Sequence, residues 1–130
     1  MSHELTFGGD PEDALVTAHG KASVDELDRI FKDLLHDPRY RPGMLVLADH
    51  RDVDWSGLTH DHLRQRIDRL EEDAELMVGS SFAVVLGQPL DYGIQRMLQA
   101  LAESQRVEGD RRAFYSLEDA RAWLATRPRT

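Results

Sequence analysis

Cysteine is absent from the 130 residues, which excludes a disulfide framework, a thiolate metal site and a thiol nucleophile. Long apolar runs are missing as well. Met44 to Ala48 and Phe82 to Leu86 are the longest, far below the roughly 20 residues that a membrane-spanning helix needs. The opening MSHELTFGGDPED has no basic start followed by an apolar stretch, so no secretory signal is expected and the cytoplasm is the expected location. Positive charge is in the minority: 16 Lys and Arg stand against 24 Asp and Glu, a formal net charge of −8. That average field repels a phosphate backbone, so nucleic acid is not expected as a partner. Phosphate-loop, dinucleotide and nucleophile-elbow signatures (G-x-x-x-x-G-K, G-x-G-x-x-G, G-x-S-x-G) do not occur, and no cofactor is expected.

What is present describes a globular α/β domain covering 1–130. Hydrophobic residues make up 41% of the chain and charged residues 31%, interspersed, as in a folded single domain. Leu5 and Phe7 before a Gly-Gly-Asp-Pro turn, then Ala14 to His19, read as an antiparallel hairpin. Ser23 and Glu26 form a capping-box pattern ahead of Val24, Leu27, Ile30, Phe31, Leu34 and Leu35, a stripe with helical spacing that stops before Pro38. Met44 to Ala48 and Phe82 to Leu86 are apolar on both faces, as suits strands covered on both sides. Leu63, Ile67, Leu70, Ala74 and Met77 mark a second helix, supported by the pairs Arg64–Asp68 and Arg69–Asp73. Ile94, Met97, Leu98, Leu101 and Ala102 mark a third. Ala113 to Tyr115 reads as a last strand, and Ser116 with Asp119 opens a final helix. The order β-β-α-β-α-β-α-β-α implies a mixed five-stranded sheet, antiparallel at the opening hairpin and mainly parallel afterwards.

In such sheets ligands gather beyond the carboxyl ends of the parallel strands. Two segments are expected there as loops, Asp49 to Thr59 and Gly87 to Gly93. Asp49 reads either as a ligand-orienting carboxylate or base, or as a cap for turn amides. Trp55 reads either as a ligand platform or as an indole folded over the sheet edge. Arg96, one turn into the third helix beyond Tyr92 and Gly93, suits an anion clamp or a surface ion pair with Asp91. Asp49, His50, Asp52, Asp54, His60, Asp61 and His62 crowd together, but His60 and His62 are two apart and face different sides of a helix. No metal site is expected, and Asp61 is read as a charge favoured at a helix N-terminus.

The ordered set Gly20-x-x-Ser23, Asp37-Pro38-x-Tyr40-x-Pro42-Gly43, a strand ending in Asp49, Tyr92-Gly93-x-x-Arg96-Met97 and Phe114-x-x-x-Glu118-x-Ala120-x-x-Trp123-Leu124 resembles the SpoIIAA-like family. That family is related to STAS domains and shares architecture with CRAL-TRIO lipid-transfer domains. The resemblance implies a STAS-like fold. It also implies a comparison with the phosphorylated-serine motif of STAS antagonists, in which Asp49, Val53, Trp55 and Ser56-Gly57-Leu58 take the matching places. The motif here is two residues short and keeps a single serine, Ser56, as the candidate phosphorylation site.

The leading expectation is therefore a non-catalytic STAS-like binding or regulatory module. It would bind a protein partner or small ligand at the strand-end loops through Asp49, Trp55, Ser56, Tyr92 and Arg96. The alternative is a carrier of a small apolar or amphipathic, lipid-like ligand, with a cavity under the second and third helices lined by Leu63, Ile67, Ile94 and Met97. An unrecognised enzyme ranks third. A homodimer through the hairpin or an open sheet edge is compatible with the sequence.

Overall fold

The computed structural model of the chain describes residues 1–88, 93, 94, 96, 97, 99, 100 and 108–128. Strands β1 (Ser2–Phe7) and β2 (Ala14–Lys21) form the expected antiparallel hairpin, with Leu5 opposite Val16. Strands β3 (Leu45–Asp54), β4 (Ser81–Leu86) and β5 (Asp110–Phe114) then add in parallel, giving one five-stranded sheet in the order β1-β2-β3-β4-β5. Helices α1 (Val24–Leu35) and α2 (His60–Glu71) lie on one face and α3 (Leu117–Ala125) on the other. Among the described residues no helix is long and apolar enough to cross a membrane.

The two-period of the strands sorts the core into these layers. Val16, Val46 and Phe82 pack with Leu27, Ile30, Leu34, Ile67 and Leu70 beneath α1 and α2. Leu45, Leu47, Ala83 and Val85 pack with Ala120 and Leu124 of α3. Runs that looked apolar on both faces in the sequence are central strands covered on both sides.

Local signals set the helix ends, with two departures. Ser23 Oγ accepts the Glu26 amide at 3.2 Å, as a cap should. The Glu26 carboxylate does not complete the box; it lies 3.4 Å from the terminal amine of Met1, a stronger, charged partner. Arg69 does not pair along its own helix with Asp73. It reaches across to Asp25 of α1 at 2.8 Å, while Asp73 takes Lys32 at 2.6 Å and His36 at 3.1 Å. These pairs tie α2 and the turn after it to α1. The second helix is also shorter than its periodicity predicts: α2 stops at Glu71, and a 3-10 turn, Ala74–Met77, carries Met77 into the core. Of the expected third helix, Gly93, Ile94, Arg96, Met97, Gln99 and Ala100 are helical, while Leu98, Leu101 and Ala102 lie outside the described residues. Met97 is 42% exposed rather than core; above Phe31 and Phe82 lie the guanidinium groups of Arg66 and Arg111.

The largest departure is β3. Expected to end at Ala48, it runs to Asp54, so Asp49 to Asp54 is strand and not loop. Its second half pairs with β2, and between Thr17 and His19 the register slips: Thr17 opposes Asp49, but His19 opposes Asp52. The additional β3 residue is a bulge, and a one-residue slip turns later side chains to the other face. His50 before it and Val53 and Trp55 after it are all buried. Val53 and Trp55 belong to the layer under α1 and α2, to which Val46 and Ala48 also contribute.

Gly87 ends β4 where β3 passes closest: a Cβ there would sit 2.3 Å from the Arg51 carbonyl oxygen, a clash with backbone. Gly87→Ala is predicted to lower stability by about 1–3 kcal/mol. Urea unfolding should show a lower midpoint with an unchanged slope.

Candidate functional site

A cavity lies between the sheet and helices α1 and α2. Its floor is a single register row across four strands, Val16, Ala48, Val84 and Ala113. Two of the four are alanines, and the shortage of side-chain volume leaves the space. Leu27, Ile30, Phe31 and Leu34 of α1 and Ile67 and Leu70 of α2 form the roof. The cavity offers about 80 Å³ of room for the centres of water molecules, whereas one water needs about 10–15 Å³ by that measure. Several waters or one small organic molecule fit.

At the polar end stand His50, Trp55 and Arg66, only 7%, 2% and 7% exposed. Both ring nitrogens of His50, Trp55 Nε1 and Arg66 Nη1 are buried with no hydrogen-bond partner in the protein. They are the buried side-chain polar atoms left unpaired among the described residues, and all three residues line the same cavity. Each such group costs about 1–3 kcal/mol of desolvation, more when charged.

Aromatic packing holds them. The His50 and Trp55 rings lie 5.7 Å apart, and Phe31 and Phe82 5.6 Å apart. The Arg66 guanidinium sits 4.4 Å above the Phe31 ring, and that of Arg111 sits 5.5 Å from Phe82, both cation–π geometries. Arg111 is anchored by donating to the Glu108 carbonyl at 2.9 Å. Among the described residues Arg66 has no such anchor; Asp28, the acid that favours its charge, lies 4.0 Å from Arg69.

Burial governs the titration of these groups. Burial first, then the Arg66 charge, pushes His50 down to about 4 against the opposing pull of Asp49, so the imidazole is neutral at pH 7. Burial first, with Arg111 and Arg69 adding repulsion and Asp28 opposing, lowers Arg66 to about 10. Burial likewise lowers Arg111 to about 10. Both arginines stay cationic at pH 7.

The residues expected to form a rim do not all meet here. Trp55 does, folded inward. Asp49 follows Leu45 and Leu47 on the alternation toward α3, and its carboxylate is taken by Arg51, with oxygens 2.9 Å from Nε and from Nη2. Burial pushes the Asp49 carboxyl up, but hydrogen bonds from Arg51 outweigh this and hold it below the usual carboxylate value. Ser56 is exposed in the turn before α2, its amide donating to Asp54 Oδ1 at 2.9 Å. Arg96 is exposed, and Tyr92 lies outside the described residues. The second helix lines the cavity through Arg66, Ile67 and Leu70 and the expected third helix through Gln99, with α1 as an additional wall. Of the expected lining residues only Ile67 is present; Leu63, Ile94 and Met97 are not among its lining residues.

His62 has a structural task at the α2 N-terminus. Its Nδ1 accepts the Thr59 amide at 3.0 Å while its own amide donates to Thr59 Oγ1 at 3.2 Å, a reciprocal cap. The residue that the sequence reading passed over is Arg66. Leu63, Arg66, Ile67 and Leu70 are spaced three, one and three, which puts an arginine inside the apolar stripe of α2. That charge on a buried stripe is the signal that would have found it.

His50 generates a pH prediction. Its ordinary value near 6.5 applies to the unfolded chain and about 4 to the folded one, so below pH 6.5 the unfolded state binds the additional proton. The contribution is complete above pH 6.5 and is lost as pH falls toward 4, to a total of about 3 kcal/mol. Urea unfolding of wild type and His50→Leu at pH 7.5 and 4.5 should show the wild type losing more stability than the variant. Equal losses would contradict a buried neutral imidazole.

No protein-family model matches the sequence, and no curated protein is significantly similar to it. Among solved structures, an uncharacterised DUF3478-family protein from Shewanella loihica PV-4, described as having a SpoIIAA-like fold, is similar in three dimensions. The TM-score is 0.56 at 17% sequence identity, over 95% of this chain and 96% of that one. The element order, the five-stranded mixed sheet and this end-to-end correspondence identify the architecture: the chain has a SpoIIAA-like fold.

Proposed function

We propose that this chain is a non-catalytic binding module whose ligand is a small molecule held in the cavity between the sheet and helices α1 and α2. One observation carries the reading: the unpaired buried polar atoms of His50, Trp55 and Arg66 all belong to residues of a single, mostly apolar cavity. Small-molecule sites have this composition, mostly apolar walls with a few placed polar groups. Of the two binding modes weighed from the sequence, the enclosed-ligand mode is favoured over docking at the strand-end rim. Asp49 is engaged by Arg51, and the indole of Trp55 is buried rather than presented. His50, the titratable group of the site, is neutral and has no hydroxyl or carboxylate hydrogen-bonded to it, so it is not set up as the base of a nucleophile. Regulation enters through the chain itself. Ser56 follows Trp55 directly, so a ligand that moves the indole moves the exposed Ser56–Thr59 turn, where phosphorylation or a protein partner would act.

Amide-resolved NMR during titration with hexan-1-ol tests the location. Shifts are expected at Val16, Ala48, Val84 and Ala113, and the double variant Ala48→Leu, Ala113→Leu should lose them while remaining at least as stable. Shifts confined to Asp49, Ser56 and Arg96, unaffected by filling the cavity, would return the site to the rim.

A further inference from the structure

The polar end of the cavity is donor-rich and cationic. Arg66 Nη1 and Trp55 Nε1 can only donate, and a neutral His50 supplies one more N–H beside a single acceptor nitrogen. The described lining includes three arginines, Arg66, Arg111 and Arg112, and no aspartate or glutamate. In a chain with 24 acidic and 16 basic residues that is a local reversal of sign. Arg111 is already held by backbone oxygens, whereas Arg66 makes no ion pair among the described residues and has Asp28 only as a more distant charge shared with Arg69. The Arg66 guanidinium is stacked on Phe31, and Arg66, Trp55 and His50 line one cavity with their nitrogens buried and unpaired. A small side-chain rotation that turns these N–H groups to a ligand would match a group of negatively charged oxygens. Apart from Gln99, the remaining walls, Ile30, Leu34, Val46, Ile67 and Leu70 among them, are hydrocarbon.

We propose that the cavity is specific for a small organic carboxylate with a short apolar body, its carboxylate received by Arg66 Nη1, Trp55 Nε1 and the His50 N–H, and its body lying on the Val16–Ala48–Val84–Ala113 row. The assignment rests on the cavity being the binding site. It adds the sign of the ligand's charge and the residues that read it. Discrimination follows from what each head group leaves behind: an alcohol leaves Arg66 uncompensated, and an amine places a second cation beside it.

The experiment is isothermal titration of the full chain at pH 7.5 with hexanoate, hexan-1-ol and hexylamine, all of one chain length. Hexanoate is expected to bind about tenfold or more tighter than hexanol, as a charge-assisted hydrogen bond allows, and hexylamine weakest. Arg66→Met, which keeps the stem's bulk, should bring hexanoate down to the hexanol level. Trp55→Phe, which keeps the ring and removes one donor, should weaken hexanoate severalfold and leave hexanol unchanged. It also provides the test if Arg66→Met fails to fold. Hexanol binding as tightly as hexanoate would overturn the carboxylate assignment while leaving the cavity as a binding site. Binding of none of the three would overturn both.

Discussion

The structure turns on one costly arrangement, a guanidinium buried on the apolar face of an otherwise conventional helix. Arg66 occupies a stripe position between Leu63 and Ile67, is 7% exposed, and has Nη1 unpaired. Buried charges are normally paired, because desolvation of an unpaired one costs several kcal/mol. Stacking on Phe31 returns part of that. An apolar residue of similar length would serve stability better, so the placement points to a task other than holding α2 to the sheet. Lowering of the Arg66 pKa and depression of His50 follow from the burial of the site, and the room over the floor row from its shortage of side-chain volume.

Backbone geometry brings the three polar residues together. Without the bulge in β3, continued alternation would turn Trp55 to the face opposite His50. The single additional residue opposite β2 restores both to the layer under α1 and α2. The close passage of Gly87 against Arg51 fixes the end of β4 beside this stretch. Cross-helix pairs from Arg69 to Asp25 and from Lys32 to Asp73 hold the roof over the floor. Most of these ion pairs are partly exposed and individually weak; they set the mutual placement of α1 and α2 more than their stability.

Much of this was legible in the residues. Periodicity placed α1, α2 and α3, continuous apolarity marked the central parallel strands, and the short Gly-Gly-Asp-Pro link required a hairpin. The structural relative supports that architecture end to end. The second half of β3 was not legible, because the bulge breaks alternation between His50 and Val53, and Asp-His-Arg-Asp has the composition of a turn. The site was missed for a related reason. An arginine on a helix is read as solvated, and Ala48 and Ala113 only become a cavity floor once the register aligns them. Strand-end reasoning did lead to Trp55, open between a ligand platform and an indole folded over the sheet edge. The indole points inward, and its neighbour Asp49 lies on the α3 side of the sheet.

The account is tested most directly by a crystal structure of the chain grown with hexanoate. It predicts carboxylate density within hydrogen-bond distance of Arg66 Nη1 and Trp55 Nε1, with the alkyl chain on the Val16–Ala48–Val84–Ala113 row. A hexanoate bound at the outer rim, or Arg66 turned out to an acidic partner on the surface with the cavity closed behind it, would contradict it.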